Sequence, residues 1–327
     1  MSDRRKTISV VTPCYNEQDN VADCYETVRR LFEAELPGYD YEHIFCDNAS
    51  TDLTPEVLAR LAAADPRVKV IYNARNFGPF RSTYNGILSA SGDAVLLMLV
   101  CDMQDPPELL PRFVRLWEQG HEVVYGVRRQ REESWLMRTV RRVYYRTVSS
   151  LADIDIPLNV GEFQLVDRKV IDALRQCDDY YPYIRGLVAN CGFKRTGVEY
   201  VWRARQRGFS KNRLYHLIDQ GLNGLVSFTN LPMRLCLFGG FGLSLLSISY
   251  AVFSFVYHLL IGGAAPAGMA TLITALFFFS GVQLFFFGVL GEYISAIHSQ
   301  VRKRPLVIER GRLNFPRPSQ AGGNLAA

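Results

Sequence analysis

Two long apolar runs lie in the last third of this 327-residue chain, and the first two thirds contain no run of similar length. Neither the run from Leu235 to Ile261 nor the run from Ala267 to Leu290 contains an Asp, Glu, Lys or Arg. Each is longer than the roughly 20 residues that a helix needs to cross a bilayer. A short uncharged bend at residues 262–266 joins them, so the pattern predicts a transmembrane helical hairpin.

The basic residues around the two runs predict an orientation. Arg234 precedes the first run, the basic segment 302–304 follows the second, and the bend between the runs carries no Lys or Arg. Loops rich in Lys and Arg stay on the cytoplasmic side of a membrane. We therefore expect a multi-pass protein of the plasma (inner) membrane whose soluble part lies on the cytoplasmic face, in contact with the lipid bilayer.

The first half of the chain alternates strand patterns with helix patterns. The apolar β-rich runs that predict strands are 8–11, 41–46, 68–72, 94–101 and 122–125. After the first run, apolar residues recur at helical spacing: Val21, Cys24, Val28, Leu31 and Phe32. The unbroken run 94–101 is typical of a strand buried on both faces. This rhythm predicts an α/β fold, with a mostly parallel Rossmann-type sheet and helices on both faces.

These patterns predict four regions along the chain. They are a cytoplasmic catalytic domain at 1–210, an amphipathic juxtamembrane helix at 211–233, two transmembrane helices within 234–291 (about 235–261 and 267–290), and a cytoplasmic tail at 292–327. A helix with one greasy and one basic face can lie in the headgroup layer, although packing against the domain's own core is an alternative. The segment from Arg304 to Glu309 could add a strand to a neighbouring molecule.

Charge and cysteine usage narrow the class of partner. The formal net charge is +5, and seven arginines fall between Arg128 and Arg146. Such clusters suit the phosphates of lipids or of a nucleotide. Nucleic acid is disfavoured as a partner, because the hairpin already supplies an anionic surface. The seven cysteines form no CxxC pair, which indicates small buried thiols in a reducing compartment.

Polar side chains follow four of the predicted strands. These residues are Thr12 and Glu17, then Asp47, then Arg75 and Asn76, and finally Asp102. Ligands of such sheets bind beyond the carboxyl ends of the strands. The pattern therefore predicts a ligand site at that edge. The alternative role, helix capping, is expected for Asp52 and Asp105.

The residues after the buried strand point to a divalent cation and a diphosphate. Asp102, Gln104 and Asp105 offer the oxygen ligands that Mg²⁺ or Mn²⁺ takes together with substrate phosphates. A leaving diphosphate gains charge in the transition state and needs such help. Further along the chain, Arg205, Ser210 and Lys211 could neutralise the same diphosphate. The chain contains no GxxxxGK[ST], HExxH or GxSxG motif.

An ordered set of segments resembles family 2 glycosyltransferases, in particular the branch that transfers sugars to polyprenyl phosphates such as bactoprenol and dolichyl phosphate. Residues 11–17 (VTPCYNE) resemble the family's opening nucleotide-binding motif, and 45–52 (FCDNASTD) resembles its DDGSTD turn. The other matching segments are DMQDPPE at 102–108, GEFQL at 161–165, GFSK at 208–211 and GEYI at 291–294. The resemblance runs from about Ile8 to Pro305.

The resemblance implies a GT-A fold and an inverting transfer of a sugar from a UDP- or GDP-linked donor to a membrane polyprenyl phosphate. By position, the residues implied to bind the donor nucleotide are Pro13, Tyr15, Glu17, Asp47 and Arg75, with Arg205, Ser210 and Lys211 on its diphosphate. The residues implied at the reacting centre are Asp102 and Gln104 for the metal or the diphosphate, Arg128 and Arg142 for the acceptor phosphate, and Glu162 as base or acceptor-positioning group.

Three positions depart from the family pattern. Val100 stands where the first acid of DxD is usual, so one carboxylate is missing and the affinity for a metal is expected to be lower. Asn48 replaces the second acid of DDGSTD, which removes a charge near the nucleoside. Gln164 replaces the arginine of GDFRL, so a phosphate or carboxylate partner is expected to be lost.

The acceptor chemistry makes the arginines more important than the base. A phosphate monoester has a second pKa of about 6, so it is already a nucleophile at neutral pH. The protein must instead desolvate it and hold it in line with the sugar. We therefore expect Arg142→Ala to damage use of the acceptor while sparing donor binding.

The sequence leaves two other functions and a homo-oligomeric state open. One alternative is a glycosyltransferase that acts on another lipid or glycan acceptor, and the other is a non-catalytic partner that binds nucleotide sugars. The small residues Gly240, Ser244, Ser247 and Ala251 allow close helix contact, and a lone hairpin buries little surface, so a homo-oligomer is plausible.

Overall fold

The computed structural model describes residues 4–128, 160–203, 268–302 and 304–316, together with positions 238–243, 245, 246, 249, 250, 253, 256 and 260. The chain divides into two compact units. The first, here called the sheet unit, comprises Met1–Arg141, Ile154–Lys211 and Arg304–Ala327. The second, the apolar-helix unit, comprises Arg142–Asp153 and Asn212–Lys303.

The sheet unit alternates strands and helices over its first part. In chain order these elements are β1 (Thr7–Cys14), α1 (Val21–Glu35), β2 (Asp40–Asp47), α2 (Thr54–Ala64), β3 (Val68–Asn73), α3 (Pro79–Ser89) and β4 (Ala94–Leu96). A short 3-10 helix (Pro107–Leu109) then leads into α4 (Leu110–Glu118). The later elements are β5 (Val123–Arg128), β6 (Val160–Asp167), α5 (Arg168–Leu174), α6 (Ile184–Asn190), β7 (Arg195–Tyr200) and, after the apolar helices, β8 (Glu309–Leu313).

The eight strands form one mixed sheet in the order β7-β5-β6-β4-β1-β2-β3-β8. Strand β1 pairs in parallel with β2 and β4, β2 pairs in parallel with β3, and β5 does so with β7. Only β6 and β8 run against their neighbours. The mostly parallel α/β sheet expected from the sequence is therefore confirmed.

The strand directions bring distant segments to one edge. Since β6 runs antiparallel to β4 and β5, its amino end lies beside their carboxyl ends, and Val127 pairs with Val160. In the same way the amino end of β8 lies beside the carboxyl end of β3, where Glu309 pairs with Asn73. We call this side of the sheet the carboxyl edge.

Helices cover both faces of the sheet. The predicted inner face of α1 is confirmed, because all five of its apolar residues are buried. Adjacent strand residues point to opposite faces: Val10 packs in the cluster that contains α1 and α4, whereas Val11 packs in the cluster that contains α3, α5 and α6. This layered arrangement leaves the ends of the strands, rather than the faces, for a ligand.

The predicted strand at 94–101 is shorter than expected. Only Ala94–Leu96 forms a ladder, although the chain stays extended beyond it. The Leu97 amide donates to the Gln164 carbonyl at 2.9 Å, and the Leu99 amide donates to the Val11 carbonyl at 2.8 Å. The backbone thus remains bonded to both neighbours while leaving the regular ladder. The expected burial holds, since Leu97 and Leu99 are both buried.

The tail adds a strand to its own sheet. The sequence suggested pairing of 304–309 with a neighbouring molecule, but Glu309–Leu313 pairs antiparallel with β3 of the same chain. The Asn314 side-chain amide donates to the carbonyls of Ala62 at 2.6 Å and Val68 at 2.8 Å, which fixes the end of this strand. The tail is therefore part of the sheet unit.

The apolar-helix unit contains a helix that satisfies the length and composition of a membrane span. Helix α7 (Met269–Val301) has 33 residues, and its segment Phe278–Ser295 is the one candidate span among the described residues. None of that segment is buried. The described positions from Phe238 to Leu260 are also helical. The predicted juxtamembrane helix at 211–233 lies outside the described residues.

Candidate active site

Three turns at the carboxyl edge hold residues in an unfavourable backbone conformation. Asn16 after β1, Ala49 after β2 and Met103 after β4 have φ values of 55°, 61° and 50°. Residues other than glycine rarely adopt this left-handed region, and such strain concentrates at functional sites. The three turns make this edge the candidate functional part of the sheet unit.

The turns after β1 and β2 are bonded to each other. The Asn16 amide donates to the Ser50 hydroxyl at 2.9 Å, and the Asn16 side-chain oxygen accepts from the Thr51 amide at 2.8 Å. The Glu17 amide donates to the Thr54 hydroxyl at 2.9 Å. These bonds hold together the ends of β1 and β2, where four candidates for nucleotide binding lie: Pro13, Tyr15, Glu17 and Asp47.

The Asp47 carboxylate is buried with little compensation. It ends β2 with none of its surface exposed, and its two oxygens lie 3.3 and 3.4 Å from the Ser50 amide, which donates to them. Burial raises the pKa of Asp47, although the bonds from Ser50 and the positive charge of Arg310 oppose this. A carboxylate kept at such a cost fits a binding role better than a stabilising one.

Asn48 belongs to a buried network of amides. Its side-chain oxygen accepts from the Asn73 side chain at 3.1 Å and from the Phe77 amide at 2.9 Å, and its nitrogen donates to Asn76 at 2.9 Å. An aspartate at 48 could accept the first two bonds but could not donate the third. This pairing gives a physical reason for the departure from DDGSTD.

Arg75 lies at the end of β3, beside this network. Its guanidinium donates to the Asn76 carbonyl at 3.2 Å and stacks 4.0 Å from the centre of the Phe77 ring. The side chain is exposed at the carboxyl edge. The structure therefore places this donor-binding candidate on the same side of the sheet as Asp47.

The Asp102 turn is held against the end of β1. The sulfur atoms of Cys14 and Cys101 lie 3.3 Å apart, and burial raises the pKa of Cys14 to about 11. The Asp102 carboxylate accepts from the Gln104 amide at 3.3 Å, while the Gln104 carbonyl accepts from the Arg203 amide at 3.0 Å. The turn thus joins the ends of β1, β4 and β7.

The ligand set for a metal is small. Among the described residues no group of three or more His, Cys, Asp or Glu side chains could hold a metal ion. Asp102 supplies one carboxylate, and Val100 supplies no oxygen from its side chain. Because Mg²⁺ is often held by one or two carboxylates plus waters and phosphates, these residues fit a cation that arrives with a diphosphate.

Asp105 does not cap the helix that follows it, which corrects that expectation. Its carboxylate accepts from the Arg128 guanidinium at 3.1 and 3.3 Å and from the Tyr200 hydroxyl. Arg128 also donates to the Tyr200 hydroxyl at 3.0 Å. Burial and the Asp105 carboxylate raise the pKa of Tyr200, and the Arg128 guanidinium opposes this rise. Asp52 accepts from the Thr54 amide at 3.0 Å just before α2, although the N-cap position of that helix is Leu53.

Glu162 lies near the amino end of β6, on the same edge. Its carboxylate is 4.0 Å from Nε of Arg185, and the two side chains are 16% and 23% exposed. A Cβ atom on the preceding Gly161 would come within 3.1 Å of the Arg128 guanidinium. The glycine therefore leaves room for Arg128 to pass beside Glu162.

Gln164 occupies the core rather than the ligand edge. It is 3% exposed, and its side-chain nitrogen donates to the Gly161 carbonyl at 2.8 Å. The residue that replaces the arginine of GDFRL thus supports the first residues of β6, where Glu162 lies. The remaining candidates lie outside the described residues: Arg142, Arg205, Ser210 and Lys211.

The chain is similar in sequence to known proteins over most of its length. Residues 9–175 match the family described as glycosyl transferase family 2, and residues 231–297 match the one described as GtrB C-terminal hairpin. The uncharacterized glycosyltransferase YkcC of Bacillus subtilis (strain 168) is 35% identical over 301 residues, which are 92% of each chain. The chain belongs to glycosyl transferase family 2.

Other relatives of this family 2 glycosyltransferase carry more specific names. The SfII prophage-derived bactoprenol glucosyl transferase of Shigella flexneri is 32% identical over 302 residues, covering 92% of this chain and 96% of the relative. A solved structure, the mannosyltransferase PcManGT from Pyrobaculum calidifontis in complex with GDP-Man and Mn2+, has a TM-score of 0.46 and 17% identity over 92% of this chain and 87% of that chain. The hairpin match supports membrane association.

The sequence did not single out two side chains of the candidate site. Tyr200 ends β7 and bonds Arg128 and Asp105, and Arg185 on α6 faces Glu162. Neither lies in a segment that resembles a family motif. In the sequence, Tyr200 and Arg185 differ from other residues only in lying within or next to apolar segments. Many residues share that position, so it does not identify these two.

Proposed function

We propose that this family 2 glycosyltransferase transfers a sugar, with inversion, from a UDP- or GDP-linked donor to a membrane polyprenyl phosphate. The product is a polyprenyl-phosphate-linked monosaccharide for glycan assembly or modification. The observation that carries the proposal is the match, over 92% of this chain, to a protein named bactoprenol glucosyl transferase. The gathering of Asp102, Arg128 and Glu162 at one edge supports it.

In the reaction a phosphate oxygen of the acceptor bonds to the anomeric carbon of the sugar. The bond from that carbon to the donor diphosphate breaks, and the nucleoside diphosphate leaves with the electron pair. Attack from the side opposite the leaving group inverts the anomeric centre. No proton needs to be removed from a dianionic phosphate. The protein's main tasks are to align the acceptor and to offset the charges of both phosphates.

The residues divide between donor and acceptor. On the donor side, the nucleoside is bound by Pro13, Tyr15, Glu17 and Asp47. Arg75 also contributes to donor binding, and the diphosphate is bound by Arg205, Ser210 and Lys211. On the acceptor side, Arg128 and Arg142 bind the phosphate and Glu162 orients it. Arg128 reaches this position with its orientation already fixed by Asp105 and Tyr200. Such preorganisation lowers the cost of binding an anion.

Asp102 and Gln104 would hold a divalent cation, Mg²⁺ or Mn²⁺, together with the donor diphosphate. When bound, that cation supplies positive charge to the leaving diphosphate. With a single carboxylate in the set, Asp102 contributes a weak site by itself. The donor diphosphate and the cation are therefore expected to bind together rather than separately.

The flanking charges and the hairpin match support a proposal for the membrane topology. We propose two membrane spans, with the sheet unit and the tail on the cytoplasmic face of the inner membrane. The polyprenyl phosphate then stays in the bilayer while its phosphate reaches the cytoplasmic surface. This arrangement is consistent with a tail that returns to β3 of the same chain.

The test is a transfer assay on purified full-length protein in detergent or liposomes. Radiolabelled UDP- and GDP-sugars are offered with undecaprenyl phosphate or dolichyl phosphate, and labelled lipid is measured. Transfer that requires the polyprenyl phosphate supports the proposal. Labelled product only with diacylglycerol or a glycan would favour the other acceptor class. Donor binding with neither transfer nor hydrolysis would indicate a non-catalytic binding partner.

A further inference from the structure

Glu162 faces a guanidinium that no motif of the sequence singles out. Nε of Arg185 lies 4.0 Å from a Glu162 oxygen, and both side chains are largely sheltered from solvent. In such surroundings a charge is screened less than at an open surface. The distance is longer than a hydrogen bond, as is common for active-site pairs that tighten only when substrate is present.

Arg185 is bonded to the strand that carries Glu162. One terminal nitrogen donates to the Val160 carbonyl at 3.0 Å, two residues before Glu162 in β6. Nε donates to the Tyr183 hydroxyl, and the guanidinium stacks 4.7 Å from the centre of the Tyr183 ring. Three separate contacts therefore fix the direction of this guanidinium relative to the backbone of Glu162.

The second cation near Glu162 has its charge offset elsewhere. Arg128 interacts electrostatically with Glu162, but it is paired with Asp105 at 3.1 Å. Arg185 lies with its Nε 4.0 Å from the Glu162 carboxylate. The arrangement is a row of alternating charges from Arg185 through Glu162 and Arg128 to Asp105.

We propose that Arg185 is a positioning residue that acts through Glu162 in the transfer step. The inference rests on the proposed function. A dianionic acceptor phosphate approaches a site that already holds the negative Glu162, which repels it. Arg185 offsets that charge and holds the carboxylate in one orientation. Glu162 can then order the acceptor phosphate in line with the anomeric carbon without driving it away.

The test is a double-mutant cycle between Arg185 and Glu162. Arg185→Gln, Glu162→Gln and the double variant are compared with the wild type for kcat and for the KM of donor and acceptor. We expect Arg185→Gln to lower kcat roughly 10- to 100-fold while the donor KM stays unchanged, because a misplaced orienting group costs rate rather than donor binding. In the Glu162→Gln background the same change should lower kcat less than twofold more.

Two further variants keep the test informative if Arg185→Gln folds poorly. Arg185→Lys keeps the charge and should recover part of the rate, although it loses the planar fork. Tyr183→Phe removes only the hydroxyl that accepts from Arg185, and its smaller loss should also vanish without Glu162. Arg175→Gln is the matched control, because Arg175 bonds Asp172 at 2.8 Å and a backbone carbonyl away from this site.

The outcomes separate the inference from the proposed function. Wild-type transfer with an Arg185 effect that disappears in the Glu162→Gln background supports the positioning role. Additive losses in the double variant, or an unchanged rate for Arg185→Gln, would overturn it while the proposed function stands. Absence of transfer in the wild type with every polyprenyl phosphate would instead refute the proposed function. Melting temperatures of all variants exclude a loss due to unfolding.

Discussion

Arg128 at the end of β5 and Asp105 before α4 form an ion pair of 3.1 Å at the carboxyl edge, with side chains 22% and 6% exposed. The Tyr200 hydroxyl bonds both partners. The pair therefore connects three segments that are far apart in the sequence. Asp105, which the sequence predicted to cap a helix, therefore supports Arg128, a candidate for binding phosphate.

Removing one partner of this pair should be costly. Asp105→Asn leaves the Arg128 charge without its carboxylate, and breaking a buried pair typically destabilises by about 3 kcal/mol or more. We expect a loss of that order in urea unfolding, together with a higher KM for the acceptor. The control is Glu108→Gln, which breaks an exposed pair with Arg203 at 3.2 Å and should cost less than about 1 kcal/mol. Equal losses in the two variants would contradict this explanation.

Restoring the missing acid at Val100 should strengthen metal binding. Val100→Asp places a second carboxylate two residues before Asp102, and divalent cations prefer more oxygen ligands. We expect half-maximal activity at a severalfold lower Mn²⁺ concentration, and tighter Mn²⁺ binding by electron paramagnetic resonance in the presence of the nucleoside diphosphate. Val100→Asn has nearly the same size without the charge. If it shifts the Mn²⁺ dependence as much as Val100→Asp does, charge at this position is not the reason.

Asp47→Asn should stabilise the protein and weaken donor binding. Burial raises the pKa of Asp47 in the folded state above its unfolded value. The folded state therefore retains a proton that the unfolded state has released, so stability falls as the pH rises from the unfolded pKa through the folded pKa. An amide removes this penalty, which is on the order of 1 kcal/mol for a poorly compensated polar group.

The pH dependence provides the check on Asp47. The gain in stability of Asp47→Asn should be fully present at neutral pH and should vanish below the unfolded pKa of about 3.9. Melting temperature against pH and titration with UDP or GDP measure the two effects. A variant that is less stable at neutral pH, or that binds nucleotide normally, would show that Asp47 supports the fold instead.

Asn48→Asp should disturb the amide network while keeping the size of the side chain, because it replaces the nitrogen that donates to Asn76 with an oxygen. The new carboxylate loses the bond donated to Asn76 and turns a negative charge toward that oxygen. Leaving a buried polar group unsatisfied costs about 1–3 kcal/mol, so a loss of this size is expected in urea unfolding. Asn190→Asp, at an exposed position on α6, is the control. A stability change confined to Asn190→Asp would refute the network explanation.

Asn314→Ala should loosen the returning tail. The side-chain amide of Asn314 donates to the carbonyls of Ala62 and Val68. Loss of a typical hydrogen bond lowers the free energy of unfolding by about 1 kcal/mol. We expect faster proteolysis after residue 304 and a lower melting temperature of the sheet unit. Arg310→Lys, an exposed change on the same strand that keeps the positive charge near Asp47, should alter neither. Unchanged proteolysis in Asn314→Ala would show that β8 is held by its backbone pairing alone.

The local spacing of apolar residues was sufficient to predict several helices and strands of the sheet unit. The apolar positions of α1 were read from helical spacing, and all five are buried. The strands at 8–11, 41–46 and 68–72 lie within β1, β2 and β3. These patterns report which side of an element faces the core, because burial of apolar side chains imposes the period of the helix or strand. The ordered motifs predicted a family 2 glycosyltransferase, and the family match confirms this prediction.

The limits of the sequence appear where partners come from distant segments. Asp105 was expected to cap a helix, since its neighbours form a good helix start, yet its partners lie on β5 and β7. The length of β4 was overestimated because the apolar run continues after the ladder ends. In both cases local residue types fit several structures, and contacts with remote strands select one.

By itself the sequence determined the α/β class, the apolar helices, the family and the candidate residues at the strand ends, because each of these depends on short-range spacing or on residue identity. The tertiary structure decided which charges meet. The reversed direction of β6 brings Glu162 beside Arg185 and the end of β5, and the antiparallel return of β8 covers β3. Strand order and direction depend on the packing of the whole sheet, because strands that are far apart in the sequence become neighbours in it.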